Sequence, residues 1–139
     1  MTVECFLDTN VLVYAAAGRG PEERKRRRAL ELIERAEFGL SAQVLQEFYV
    51  TVTRKVARPL RPDRALEWIE LLAAFPCVAT DVALVATGAE LSERYRVSYW
   101  DGAILAAAEA LGAGVIYTED LSAGQAYGSV RVENPFLNP

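Results

Sequence analysis

Apolar positions along the chain fall into two kinds of run. Short ones, at 3–7, 38–41, 77–80, 115–118 and 130–132, have the length and bounding polar residues of buried strands. The segments between them carry helical spacing instead. The stretch 10–17 reads as a short helix stopped at Gly18-Arg19-Gly20-Pro21, and 22–37 as a longer one, with Leu30 and Ile33 on its apolar stripe. Ser41 caps a helix carrying Val44, Leu45, Phe48 and Val52 on one side. After the turn Arg58-Pro59-Leu60-Arg61-Pro62, further helices are predicted over 63–75, 81–95 and 100–111, the last alanine-rich and closed by Gly112 and Gly114. Strands alternating with helices predict an α/β fold, a short and mainly parallel sheet flanked by helices, in one domain spanning 1–139. Such sheets bind ligands outside the carboxyl ends of their strands.

Acids gather at those ends. Asp8 closes the first strand, Asp81 follows 77–80, and Glu119-Asp120 follows 115–118. Asp101 opens the alanine-rich helix, and Glu47 lies at the edge of the apolar stripe of the helix after Ser41. Each has a structural alternative. Asp8 and Asp81 suit helix N-caps, the more so Asp81, and Asp101 suits the third position of a capping box begun by Ser98. Glu47 has no Lys or Arg at i+3 or i+4 to pair with. Convergent carboxylates make an oxygen-only site suited to Mg²⁺ or Mn²⁺, and such a metal serves phosphodiester hydrolysis.

Composition narrows the chemistry. There is no histidine, which removes Ser-His-Asp and Cys-His catalysis and the usual zinc sites. Cys5 and Cys77 cannot form a four-thiolate site and are expected to be reduced core residues. The net charge of −4 is too acidic for holding nucleic acid by bulk charge. No run is long enough for a membrane span, and MTVECFLDTN is not a secretory signal, so a cytoplasmic protein is expected.

The order of these motifs resembles the PIN-domain nucleases, and within them the toxin subunits of VapBC-type toxin–antitoxin pairs. The resemblance runs through LDTNVLVYA, LSAQVLQEFYVTVTRK, SYWDGAILAAA, VIYTEDL and GQAYGSVRVENPF, nearly the whole chain. It implies a three-layer PIN-like fold with Asp8, Glu47 and Asp101 as core metal ligands and Asp120, rather than Glu119, as an outer acid. Asn10 and Thr118 would support the site. It further implies a ribonuclease dependent on Mg²⁺ or Mn²⁺, acting on RNA and restrained by a cognate antitoxin. Two other classes remain open: an inactive PIN-like nucleic-acid-binding module, and a haloacid-dehalogenase-like phosphatase with Asp8 as nucleophile. The phosphatase expects an acid where this chain has Asn10.

Arg24-Lys25-Arg26-Arg27-Arg28 holds five of the 15 basic residues. On a helix these side chains fan around the axis, so they serve either as a solvated face, with Glu23–Arg27 and Glu31–Arg35 pairs, or as a phosphate-contacting edge. Arg54, Lys55, Arg58, Arg61 and Arg64 form a second basic region with the same two readings. Tyr49, Tyr99 and Trp100 are candidates for base stacking, with apolar packing the expected use of Trp100. Phe48, Tyr49, Trp68 and Leu72 exceed what a small core readily encloses, and a homodimer through the third and fourth helices is expected.

Overall fold

The computed structural model describes residues 3–137. Among the described residues six α-helices and six strands form, the helices and five of the strands where the periodicity predicts them. The first half runs β1 (Cys5–Leu7), α1 (Thr9–Ala17), α2 (Glu23–Glu34), β2 (Phe38–Ser41), α3 (Ala42–Arg54) and α4 (Pro62–Leu72). The second runs β3 (Cys77–Val78), α5 (Val82–Tyr95), α6 (Tyr99–Ala110), β4 (Val115–Tyr117), β5 (Ala126–Tyr127) and β6 (Val130–Glu133). The sheet order is β3-β2-β1-β4-β6-β5, parallel except for the β5–β6 pair.

This order fixes the layers. The chain steps outward from β1 to β2 to β3, then returns to pair β4 with the other side of β1. Crossovers of one hand running in opposite directions put α1–α4 on one face and α5–α6 on the other. The helix contacts agree: α1 packs on α2 and α3, α3 on α4, and α5 on α6. The reversal falls between β1 and β4, the place where an open α/β sheet leaves a crevice at its strand ends.

Local signals account for most boundaries. Ser41 Oγ accepts from the Val44 N–H at 3.3 Å and starts α3; Asp81 Oδ1 accepts from the Leu84 N–H at 2.8 Å and starts α5. The β5–β6 hairpin is absent from the sequence reading. Its first strand is two residues long and shows no period; Gly128, at φ 64° in the turn, is the only local mark.

Two expectations are corrected by burial. Cys77 is exposed and Cys5 half-buried, because each lies in a strand too short or too near the rim to be covered on both faces. Phe48 and Leu72 are fully buried within the protein's own core, so they are not available to a dimer face. The exposed apolar residues of this region are Val50, Leu66 and Leu71.

Helices α5 and α6 cross at two glycines. A Cβ on Gly102 would stand 2.4 Å from the Gly88 carbonyl oxygen, and one on Gly88 would stand 3.0 Å from Ala103 Cα. The absence of side chains lets the backbones meet, and the crossing sets the position of Asp101, next to Gly102. Gly102→Ala is expected to lower stability by about 1–3 kcal/mol, measured by urea unfolding. An unchanged midpoint would show that the crossing is looser than described.

Candidate active site

The register of β1 on β4 opposes Leu7 and Tyr117, so Asp8 and Thr118 leave the sheet side by side. The Asp8 N–H donates to the Tyr117 carbonyl at 3.1 Å, extending the ladder one step past the strand. Asp8 Oδ1 accepts from the Thr9 N–H at 2.7 Å, and Oδ2 accepts from the Thr118 hydroxyl at 2.9 Å. Asp8 is therefore a helix cap and a wall of the site at once.

Thr118 is fully buried and acts as a hub. Besides donating to Asp8, its Oγ1 accepts from Asn10 Nδ2 at 2.9 Å and from the Asp120 N–H at 3.1 Å. Asn10 Nδ2 also donates to Asp120 Oδ2 at 3.1 Å, and Asn10 Oδ1 accepts from the Glu119 N–H at 3.3 Å. One amide thus pins the segment after β4 to the start of α1. Across the crevice, Thr9 Oγ1 donates to Glu47 Oε1 at 2.9 Å. Ser98 Oγ accepts from the Asp101 N–H at 3.1 Å, forming the predicted cap at the start of α6.

Asp8, Glu47, Asp101 and Asp120 all line one cavity of about 700 Å³. Glu47 comes from one helical layer and Asp101 from the other. Asp81 does not line it. Neither does Glu119, which turns away: its carboxylate accepts from the Tyr14 hydroxyl and pairs with Lys25 Nζ at 3.0 Å. The cavity extends from the acids to an apolar wall of Val13, Ala17, Val50 and Val56, with Lys55 at that end. Trp100 corrects its expected use. It is 63% exposed on the cavity wall, because it falls on the solvent side of the first turn of α6.

Among the described residues, neither these four acids nor Glu22, also on the cavity lining, has an ion-pair partner. Burial pushes the Asp8 carboxyl up from 3.8 to about 6, against the hydrogen bonds from Thr9 and Thr118, and the charges of Asp120 and Glu47 push the same way. Asp101 is also raised, chiefly by burial, with Ser98 opposing and Asp120 adding. Among the described residues no three acidic or thiol side chains stand close enough together to hold an ion as they are. The acids are an open set around a shared space. In donor chemistry they fit a hard divalent cation: all oxygen, all anionic and uncompensated.

Thr9, the clamp on Glu47, was not singled out in the sequence; its place between Asp8 and Asn10 was the available signal. The basic run divides as helical geometry requires. Lys25 goes to Glu119, while Arg26 and Arg27 reach Glu23 at 3.1 and 3.7 Å. Glu31 pairs with Arg28 at 3.3 Å; the expected Glu31–Arg35 pair does not form, the nearer i−3 partner taking its place. In the second region Arg61 and Arg64 pair with Asp63 and Glu67.

A model of the PIN domain family matches residues 5–127. The chain belongs to the PIN domain family. Solved structures with this PIN fold include a toxin–antitoxin complex from Klebsiella pneumoniae, 18% identical, with a TM-score of 0.71 over 96% of this chain and 98% of that one. The sarcin–ricin-loop-cleaving toxin VapC20 of Mycobacterium tuberculosis is 19% identical, with a TM-score of 0.64 over 84% and 90%. DNA-bound VapBC from Salmonella typhimurium is 20% identical, with a TM-score of 0.65 over 96% and 99%. Comparison with curated protein sequences returns no match.

The raised carboxyl of Asp8 gives this PIN domain an unusual pH response. Its folded value lies above its unfolded one, so the folded state takes up a proton. The resulting stabilisation is complete below about 3.8 and is lost as pH rises through about 6. In metal-free buffer the Asp8 share of stability should rise by about 1 kcal/mol from about pH 7 to about pH 5. Urea midpoints of the wild type and Asp8→Asn, compared at both pH values, isolate that share. Parallel pH profiles of the two proteins would contradict the assignment.

Proposed function

We propose that this PIN domain is a ribonuclease that hydrolyses RNA phosphodiesters with Mg²⁺ or Mn²⁺, and that it is the toxin of a toxin–antitoxin pair in the cytoplasm. The observation that carries the reading is the buried Asp8 carboxylate facing a cavity that Glu47, Asp101 and Asp120 also line, none of the four paired with a cation among the described residues. The toxin and RNA-cleaving neighbours of the same fold support it. Among the described residues no helix is long and apolar enough to cross a membrane.

Asp8, Glu47, Asp101 and Asp120 would hold the metal. When bound, it activates water and stabilises charge on the phosphate. Asp8 is the most firmly placed of the four, since both its oxygens are held by Thr9 and Thr118 while each keeps acceptor capacity for the cavity. Asn10 fixes Asp120 at the outer edge, and the Thr9 hydroxyl ties Glu47 to the start of α1. Thr118 and Asn10 are positioning residues, since they act through the acids.

The apolar wall beside the acids suits an antitoxin segment that lays apolar side chains along α1 and α3 and sends an Arg or Lys to the carboxylates. Exposed Leu66 and Leu71 on α4 suit a homodimer face.

Asp8→Asn and Asp101→Asn each remove a ligand charge at constant size. Either is expected to lower metal-dependent cleavage of RNA by about 10²-fold or more, measured with nuclease-free preparations. The wild type expressed alone should arrest growth, Asp8→Asn should not, and co-expression with a small protein encoded beside this chain should restore growth. Undiminished cleavage by both variants would overturn the assignment of Asp8 and Asp101 as metal ligands. A soluble, cleaving wild type that is harmless in its own host lacking that neighbour would overturn the toxin reading alone.

A further inference from the structure

A second cavity, of about 540 Å³, lies beyond the Lys25–Glu119 ion pair, lined by Arg24, Arg27, Arg28, Tyr117, Asn134 and Pro135 together with Glu31 and Glu133. Its acids are already matched. Glu31 pairs with Arg28 at 3.3 Å, and Glu133 with Arg131 at 2.6 Å. Two of its arginines are aimed by neutral groups. Arg24 Nη1 and Nη2 both donate to the Phe136 carbonyl at 3.4 Å, and Arg28 Nε donates to the Pro135 carbonyl at 3.3 Å. A carbonyl orients a guanidinium without cancelling its charge. Among the described residues Arg24 has no carboxylate partner. Arg27 is 75% exposed, with only a 3.7 Å contact to Glu23.

The placement matters as much as the charge. Tyr117 ends β4 and lines this cavity, whereas Asp120 lines the acid cavity. The three peptide steps from one to the other span at most about 11 Å. Both cavities therefore open at the carboxyl end of the same strand, and α2 lines the second of them. A polyanion brought to four carboxylates is repelled along its whole length unless its neighbouring phosphates meet positive charge. Guanidinium forks suit phosphate oxygens, and the Tyr117 ring on the same wall suits an unpaired base.

We propose that the Arg24–Arg27–Arg28 cavity is a phosphate subsite for single-stranded RNA, seating a backbone phosphate beside the one to be cleaved. This rests on the ribonuclease reading and assigns the basic run a direction: Lys25 and Arg26 serve the fold, and Arg24 and Arg27 serve the substrate.

The test is binding of a short fluorescein-labelled single-stranded RNA, followed by anisotropy between about 50 and 200 mM salt, with all proteins carrying Asp8→Asn to prevent cleavage. Arg27→Gln should weaken binding about fivefold near 100 mM salt and reduce the salt slope by about 0.7. Adding Arg24→Gln should reduce the slope by about 1.4 in all. Arg64→Gln, on α4 and paired with Glu67 at the surface, should leave both unchanged. Arg27 makes no backbone contact, so its single variant decides the matter even if the double variant loosens the chain near Phe136. Unchanged affinity and slope in Arg27→Gln, alongside Asp8-dependent cleavage by the wild type, overturn the subsite and leave the nuclease. Absence of any Asp8-dependent cleavage overturns the nuclease reading, and this inference with it.

Discussion

The parallel pairing of β1 with β4 is the contact on which the site depends. It is the point where the strand order reverses, so no helix covers the carboxyl ends there, and its register sets Asp8 beside Thr118. From that pair the rest follows by hydrogen bonds. Thr118 orients Asp8, Asn10 ties the segment after β4 to α1, and Asp120 is carried to the rim. Glu47 and Asp101 arrive from opposite layers because crossovers running in opposite directions place α3 and α6 on opposite faces.

Such a site is held against electrostatics. A carboxyl buried beside other acids resists ionisation, and the folded protein without metal carries that cost near neutral pH. The hydrogen bonds to Asp8 reduce the cost without removing it. Nearby cations are directed elsewhere: Lys25 to Glu119, Arg26 and Arg27 to Glu23, Arg28 to Glu31. With Lys55 at the far end of the lining, the acid end of the cavity is left anionic and open to an incoming cation, whether a metal ion or the basic side chain of a partner.

The layered architecture was legible because each element is periodic over several residues. The cap at Ser98 and the choice of Asp120 over Glu119 for the cavity could be read from position: the second residue after Thr118 points back, the first points away to Lys25. What escaped depends on partners far apart in sequence. The Thr9–Glu47 bond joins residues on different helices, and the exposure of Trp100 depends on what does not pack on it. The burial of Phe48 and Leu72 likewise comes from α3 packing on α4, which no local window contains.

The central claim is that these acids hold a divalent cation at the β1–β4 switch point. Crystals soaked in Mn²⁺ and measured at the manganese absorption edge test it without reference to activity. The account predicts an anomalous peak in contact with Asp8, shared with at least one of Glu47, Asp101 and Asp120, and lost in Asp8→Asn. A well-diffracting crystal saturated with Mn²⁺ but showing no peak in this cavity, or a peak that survives Asp8→Asn, would contradict it.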